Sequence, residues 1–493
     1  MKITLLGHAS IFVETADCRI LMDPVFGETF CEGLNAACPQ REIFPKKLPE
    51  FDFLVISHQH LDHFDVETLA SLPKDIDVLV PPDPLITNTL KALGYARVYP
   101  LKEFDKVRCG NTTLMTTRSE VRVPEFGLVV ADPSGVFWNT VDTYFATPTI
   151  QKVRESFPSI DFLLATWHIS METVYQSHRG VSFPYQLYGK LFKLFQLIQP
   201  KALAPGASGW KYINHAAWQN QTVFPVTRER FCHDVKQAFS ALGDRVFAFN
   251  PGDVISFDQG DYEYAPASSN LARMVLDDRA CLDFSPVTAG NPLIDPNPEE
   301  ISLPELHSSI IEAIEVGLTA FVQEHQQKLF HLHHHWQVIS QITVTFPDGE
   351  RQWFIDFSQD SPQLGKGRHP LANLFSYITA SGFYSVLQNQ RGWDYLWCSG
   401  EYRTFQKIYQ MSDRGILVPE ADEVITDPLH LGLSSLVVPG ANLSASIEKC
   451  KPAKPSDTDS RGQDVDSSPR TDDSLMCLGN LYLKRKPKAK ISG

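Results

Sequence analysis

The chain has 493 residues, of which 43% are hydrophobic and 11% aromatic, and its formal net charge is -14 at pH 7. This composition provides apolar material for two domain cores, and the negative charge argues against general nucleic-acid binding. No apolar run reaches the roughly 18 residues of a transmembrane helix, and no signal segment precedes the first predicted strand. The nine cysteines lack a paired spacing. We therefore expect a cytoplasmic protein with reduced thiols.

The first predicted elements are short strands. Residues 3–14 and 20–24 are apolar runs around a turn, a pattern typical of two strands. Residues 53–56 form another apolar run, and the sequence Ser-His-Gln-His-Leu-Asp-His follows at once at positions 57–63. The motif HxHxDH therefore lies at the end of a predicted strand.

This motif predicts a metal centre. Because alternate side chains of an extended segment point the same way, His58 and His60 can bind one ion. Asp62 and His63 lie in the following turn and can face a second ion close by. The alternative is a polar, histidine-rich helix start in which Asp62 and Asp65 act as caps.

Three segments together resemble one known superfamily. LLGHAS at 5–10, ILMDP at 20–24 and SHQHLDH at 57–63 are similar to the metallo-β-lactamase fold, in particular to its branch with the ascorbate-lactone hydrolases and N-acyl phosphatidylethanolamine phospholipase D. The resemblance covers about residues 1–215. It implies an α/β, four-layer αββα sandwich with a dinuclear metal site at one edge of the paired sheets. We place the end of this catalytic domain at residue 265, before a stretch of small and polar residues.

The resemblance also implies further ligands. Asp142 matches the bridging aspartate of the family, whereas the family's third histidine is missing. Among the carboxylates in that interval, which are Glu120, Glu125 and Asp132, Glu120 falls nearest to the expected place. Replacing imidazole by carboxylate shifts metal preference from zinc toward iron or manganese, and this resembles the di-iron oxygenases of the fold. The alternative for Glu120 is an ion pair with a neighbouring arginine on a surface strand.

Three later histidines are candidate site residues. The last histidine ligand of the hydrolytic relatives has no counterpart at 203–210, and we predict that His168, which follows an apolar strand, is a ligand instead. His178 lies where relatives have a pocket-lining histidine and is predicted to be catalytic together with Asp62. His215 is a candidate for a residue that contacts the metal ligands without binding the metal itself.

Residues 266–440 predict a smaller α+β domain. Apolar residues at helical spacing over 306–321 predict one helical face, and 341–346 with 351–357 predict a hairpin. Residues 205–210 and parts of 378–403 are similar to the CMP-sialic acid hydroxylases, and 347–357 resembles sterol-carrier lipid-binding domains. On a strand, His331, His333 and His335 would share one face as a second metal cluster, although pocket lining is the favoured interpretation.

The polar residues 441–493 predict a disordered tail. For the whole chain we favour a di-iron, O2-dependent monooxygenase of a small or lipid-like substrate, with two Fe²⁺ ions. The Cys-x-His and Cys-x-x-His pairs of a Rieske cluster are absent from the sequence, so we expect an external reductase or ferredoxin to supply the electrons. The first alternative is a hydrolase of a lactone, ester or phosphodiester, with Zn²⁺ or Mn²⁺. The second is a lipid-binding or partner-binding protein with a structural metal site.

Overall fold

The computed structural model describes residues 1–121, 123–177, 183–284, 292–412, 415–420, 423–436, 441–450 and 480–482. The strands are β1 (Lys2–Gly7), β2 (Ser10–Glu14), β3 (Arg19–Met22), β4 (Thr29–Phe30), β5 (Asn35–Ala37), β6 (Gln40–Ile43), β7 (Phe53–Val55), β8 (Asp77–Val80), β9 (Val98–Pro100), β10 (Lys106–Cys109), β11 (Thr112–Arg118), β12 (Phe126–Asp132), β13 (Gly135–Asn139), β14 (Phe162–Ala165), β15 (Ala202–Pro205), β16 (Trp210–Tyr212), β17 (Val254–Asp258), β18 (Asp261–Ala265), β19 (Ala272–Leu276), β20 (Ile339–Phe346), β21 (Gly349–Asp356), β22 (Gln363–Lys366), β23 (Leu374–Thr379), β24 (Tyr402–Gln406), β25 (Gln410–Ser412), β26 (Gly415–Leu417) and β27 (Asn480–Tyr482). The α-helices are α1 (Val66–Ser71), α2 (Pro84–Ala92), α3 (Thr147–Ser156), α4 (Glu172–Gln176), α5 (Tyr185–Ile198), α6 (Arg228–Ala238), α7 (Leu303–Glu312), α8 (Thr319–Leu329), α9 (His331–His335), α10 (Ala380–Leu387), α11 (Trp393–Ser399), α12 (Pro428–Leu436) and α13 (Ala441–Cys450). Short 3₁₀ helices lie at Pro45–Lys47, Asn214–Gln221, Ser240–Leu242 and Arg279–Leu282, and a π-helical segment joins α7 to α8 at Ala313–Leu318.

Two large sheets build the first domain. One has the strand order β18-β17-β1-β2-β3-β7-β8-β9, and the other has the order β15-β14-β13-β12-β11-β10-β27. Strands β3, β7 and β8 run parallel to one another, and so do β13, β14 and β15. Since the carboxyl ends of neighbouring parallel strands lie at the same sheet edge, the loops that follow them can meet in one site.

Alternation of side chains produces the layers. Leu5 and Val130 lie in one buried cluster between the two sheets, whereas their neighbours Leu6 and Val129 point to the opposite faces. Leu6 packs in a cluster with residues of α1 and α2, and Val129 packs with residues of α3, α5 and α6. Helices therefore cover both outer faces, and the predicted four-layer αββα sandwich is confirmed.

The second domain places helices against a five-stranded sheet with the order β22-β21-β20-β23-β24. Leu306, Ile310, Ile314 and Leu318 are buried along α7 and the π-helical segment, as their spacing predicts. Strands β20 and β21 pair in an antiparallel hairpin that closes at Phe346 and Gly349, which confirms the predicted hairpin. The chain thus has a smaller α+β unit after the sandwich.

The histidine-rich segment at 331–335 is helical, so the alternative of a metal cluster on one face of a strand does not apply. Phe330, which is fully buried, joins α8 directly to α9, and helical rotation prevents alternate histidines from sharing one face. His333 is buried, and its Nε2 lies 2.8 Å from the carbonyl oxygen of Thr426. Of these histidines, His333 alone packs inside the second domain, and His331, His334 and His335 are exposed.

Two segments outside residues 1–265 pack against the first domain. Strand β19, which begins at Ala272, pairs with β6 of the first domain, so this domain continues past residue 265. Helix α13 places Leu443 and Ile447 in the buried cluster of α1 and α2. Residues 441–450 therefore belong to the first domain, because two apolar side chains four residues apart form a helical face within a polar segment.

The two domains share a buried interface. Tyr212 and Phe224 of the first domain lie in the same apolar cluster as Leu396 and Tyr402 of the second. At its border the Gln219 amide donates to the Cys398 carbonyl at 2.7 Å. In the described part of the chain, none of the helices combines the length and apolar composition required to span a bilayer.

Candidate metal centre

The HxHxDH segment forms a tight turn between β7 and α1. The backbone N–H groups of His63 and Phe64 both donate to the carbonyl of His60, at 2.9 and 2.8 Å. His58 and His63 are completely buried, whereas the Asp62 side chain is 18% exposed. Asp65 caps α1 by accepting from the N–H of Thr68, so one aspartate has the capping role that the alternative interpretation gave to two.

Two groups of potential ligands meet at His63. The first group is His8, Asp62 and His63, and the second is His58, His63 and Asp142. Within each group the ligand atoms lie within 4.8 Å of one another. His63 Nε2 is 3.1 Å from Asp142 Oδ2 and 3.7 Å from Asp62 Oδ2. The imidazole of His63 thus joins two adjacent clusters of donor atoms.

His58 and His60 direct nitrogen atoms at one point. His58 Nε2 and His60 Nδ1 are 2.9 Å apart. Two ligand nitrogens that bind one ion at ~2.0–2.1 Å lie roughly 3 Å from each other. His58 Nδ1 lies 2.9 Å from Ser57 Oγ, which itself donates to Asp23, so this imidazole donates at Nδ1 and keeps the lone pair of Nε2 for a cation.

Asp23 fixes His63 from behind. Its carboxylate accepts from the Ser57 N–H and the Ser57 hydroxyl, both at 2.7 Å, and lies 2.9 Å from His63 Nδ1. Because the carboxylate can only accept, Nδ1 carries a proton, and Nε2 on the other side of the ring points toward Asp142. Asp23 adopts a φ of 44°, a left-handed conformation that non-glycine residues rarely adopt and that is common at functional sites.

His8 positions Asp62. The N–H of Gly209 donates to His8 Nδ1 at 3.0 Å, so the neutral imidazole carries its proton on Nε2. That Nε2 lies 3.0 Å from Asp62 Oδ2 and donates to it. His8 also has a left-handed φ of 50°. Sequence reasoning missed His8 and Asp23 as site residues, although both belong to the motifs that carry the family resemblance.

We expect Gly209→Ala to disturb this arrangement. A Cβ atom at position 209 would lie 2.8 Å from both the backbone N and the Cα of His8, so the His8 loop must shift and release Asp62. We expect a loss of about 10-fold in metal affinity, measured by competition with a chelator. Gly189→Ala is the control, because nothing lies within 4 Å of its Cβ position. Unchanged metal affinity in Gly209→Ala would show that His8 does not position Asp62.

Asp142 lies where the bridging aspartate was expected, in the loop after β13. The side-chain oxygen of Asn139 accepts from the N–H of Val141 at 3.0 Å and shapes this turn. Although burial opposes it, the adjacent His63 holds the pKa of Asp142 well below its usual value. Asp142 is therefore ionised next to the imidazole that both donor groups share.

The structure does not bring Glu120 into the cluster. Glu120 is exposed, and its backbone N–H donates to the carbonyl of Tyr144. Six residues later, the N–H of Phe126 donates to the carbonyl of Ser57 at 3.3 Å, which places the preceding residue, Glu125, beside the motif. Glu125 Oε1 lies 3.7 Å from His58 Nδ1, and the side chain is only 2% exposed.

Glu125 is unusual for a buried carboxyl group. Ser119 donates to Oε2 at 2.8 Å, whereas Oε1 is buried with no hydrogen-bond partner among the described residues. Burial, with a contribution from Asp142, raises the pKa of Glu125 to about 7. Asp132, the third carboxylate of the interval, is a turn residue that accepts from the Ser134 N–H. Of the three carboxylates, Glu125 alone lies beside the HxHxDH segment.

The remaining candidates lie outside the two donor groups. His168 packs its ring 5.0 Å from that of Phe224, and its buried Nε2 has no hydrogen-bond partner within the described residues. Burial and the nearby His8 lower the pKa of His168 to about 4. His215 Nε2 lies 2.8 Å from Glu401 of the second domain. His178 lies outside the described residues.

Comparison with known proteins agrees with the architecture of the first domain. Residues 2–134 match the family model of the beta-lactamase superfamily domain. A protein of Mycobacterium tuberculosis named for a Rieske 2Fe-2S iron-sulfur centre is 33% identical over 153 residues, which is 29% of this chain and 30% of the relative. A 4-amino-L-phenylalanyl-carrier-protein 3-hydroxylase of Streptomyces venezuelae is 28% identical over 118 residues, 22% of each chain.

Hydrolases are also among the similar proteins. An N-acyl-phosphatidylethanolamine-hydrolyzing phospholipase D of Caenorhabditis elegans is 34% identical over 85 residues, which is 16% of this chain and 24% of the relative. The solved isothiocyanate hydrolase from Delia radicum gut bacteria has 17% identity and a TM-score of 0.39, over 52% of this chain and 100% of that one. The chain spans less than a third of the length of each curated relative. Residues 2–134 match the beta-lactamase superfamily domain, and the four-layer αββα architecture of the first domain agrees with that match.

Proposed function

We propose that this chain is a dinuclear-metal oxygenase that hydroxylates a small or hydrophobic molecule with O2. The observation that carries this proposal is the number of carboxylates at the centre. Three carboxylates lie beside the three histidines of the HxHxDH motif. The carboxylates belong to Asp62, Glu125 and Asp142, and the histidines are His58, His60 and His63. Oxygen-rich donor sets favour iron or manganese over zinc. The similar hydroxylase of Streptomyces venezuelae supports the same class of reaction.

The donor atoms fit two cations. We assign His58 Nε2 and His60 Nδ1 to one ion and Asp62 and His63 Nε2 to the other, with Asp142 between them. A buried carboxylate oxygen without a partner is costly unless a proton or a cation neutralises it. Glu125 Oε1 is such an atom, and we propose that Glu125, in place of Glu120, supplies negative charge next to His58.

Bound ferrous ions would supply the electrons and the open coordination positions that O2 activation requires. The chain's own residues keep the ligands in place: Asp23 holds His63 through Nδ1, and His8 holds Asp62 through Nε2. Catalytic turnover also needs electrons from outside the chain, because the sequence lacks the cysteine and histidine pairs of a Rieske cluster. We therefore propose a separate reductase or ferredoxin as the electron donor.

Metal analysis tests the proposal. The protein is purified from iron-supplemented and from zinc-supplemented growth, and its metal content and absorption spectrum are measured before and after reduction and exposure to O2. We expect about two irons per chain and an absorption band that bleaches on reduction and returns with O2. Zinc at full occupancy after both kinds of growth, without any O2-sensitive band, would contradict the oxygenase.

A metal-dependent hydrolase is the second candidate. The observation that favours it is the anchoring of Asp62 by His8 next to His63, which suits a carboxylate that orients a nucleophilic water. The similar phospholipase D supports this class. Full occupancy by zinc, together with hydrolysis of a lactone, ester or phosphodiester that a chelator abolishes, would establish the hydrolase in place of the oxygenase.

A further inference from the structure

A cavity of about 410 Å³ adjoins the metal centre. His168 and Ser208 line it, and the residue after Ser208 is Gly209, whose N–H donates to His8. The cavity therefore shares a wall with the metal centre, and its volume is that of a small-molecule pocket.

Aromatic rings form one side of this cavity. Trp167, Trp210 and Phe224 line it together with His168. The ring centroids of Trp210 and Phe224 are 5.2 Å apart with nearly perpendicular planes, so these walls hold each other in place. Walls of this kind favour a ligand with a flat apolar body.

Arg228 supplies a buried positive charge to the same cavity. It is 7% exposed, and its Nη1 donates to the carbonyls of Ala248 and Phe249. Among the described residues no carboxylate oxygen lies within ion-pair distance of its guanidinium. Buried charges are usually paired, and a guanidinium is shaped to bind a carboxylate.

The other cation of the cavity differs from Arg228. Arg279 pairs with Asp277 at 2.6 Å and with Glu229 at 3.1 Å, so its charge is already neutralised. Asp283, which is exposed, adds a further negative charge at the rim. This negative rim repels an anion with two charges, such as a phosphate ester, more strongly than an anion with one charge, such as a carboxylate.

We propose that this cavity binds a monocarboxylate with a flat apolar body, its carboxylate on Arg228 and its body between Trp167, Trp210 and Phe224. If this ligand is the substrate, the proposal rests on the proposed function, because it then names the class of molecule that reaches the metal centre. Binding itself does not depend on that function, and the two can be tested separately.

Calorimetric titration of the full chain with benzoate tests this site, with the neutral benzamide as the matched ligand. We expect benzoate to bind and benzamide to bind at least 10-fold more weakly. Arg228→Gln should weaken benzoate binding at least 10-fold, whereas Arg230→Gln, which changes an exposed arginine on the same helix, should not. Equal binding of the two ligands would overturn the proposal, as would undiminished benzoate binding by a folded Arg228→Gln variant.

A second variant covers the case in which Arg228→Gln fails to fold. Ala280 is exposed and lines the cavity, so Ala280→Trp fills the opening and leaves every hydrogen bond of Arg228 intact. We expect loss of benzoate binding with unchanged metal content, which also separates this site from the metal centre and from the proposed oxygenase. Benzoate binding that persists in Ala280→Trp would place the carboxylate elsewhere, for instance on the metal ions, and would overturn the proposal.

Discussion

Replacement of His63 by alanine is expected to remove at least one of the two metal ions from the purified protein and to lower metal affinity by more than ~100-fold. This imidazole belongs to both donor groups, and no other residue does. Its loss also removes the side chain that contacts Asp142 and holds the pKa of that carboxyl group low. Elemental analysis and competition with a chelator measure the effect.

His233→Ala is the control for this experiment, because His233 is an exposed histidine on α6. Its metal content should equal that of the unaltered chain. Should His63→Ala retain two ions per chain with full affinity, then the convergence of the two groups on His63 has no bearing on metal binding. A circular-dichroism spectrum of each variant shows whether the fold has been kept.

Glu125→Gln is expected to lower metal affinity by about 10-fold to 100-fold, whereas Glu120→Gln should leave it unchanged. The amide keeps the size of the side chain and removes the negative charge beside His58. Glu120 is exposed to solvent, so water and salt screen its charge from a cation in the centre. The reverse order of effects would restore Glu120 as the carboxylate of the centre.

These two variants test the choice between Glu120 and Glu125, which could not be predicted from the sequence. His58, His60, Asp62 and His63 could be predicted because they lie within six residues at a strand end, where local geometry determines how they face. Residues 119–125 connect two strands without a regular period. The distinction between Glu120 and Glu125 depends on a backbone hydrogen bond to Ser57, far away in the sequence.

Long-range contacts also explain why His8 and Asp23 were missed. His8 reaches Asp62 across 54 positions and Gly209 across 201, and Asp23 reaches His63 across 40. Such contacts follow from the sheet order, which the strand pattern alone does not determine. The αββα layers, in contrast, could be predicted because the family motifs and the alternation of side chains both indicate them.

The alternative of a strand at His331–His335 is excluded for a local reason. Alternate histidines suit a strand face, but the segment directly continues the helical run that ends at Leu329. The polar composition after residue 440 also did not predict the helix that buries Leu443 and Ile447, because a polar segment can still place two apolar side chains on one helical face. Short elements of this kind depend on the surface they pack against.

The docking of α13 limits how the second domain can move. The chain leaves the first domain after β19, builds the second domain, and returns to the first domain through α13, which packs near α1 and α2. The second domain is consequently tethered at two points and cannot swing freely on a single linker. Any opening between the domains is then a hinge rotation about an axis through the two connecting segments, one after β19 and one before α13. In such a rotation the interface that buries Tyr212 and Leu396 separates along one side first.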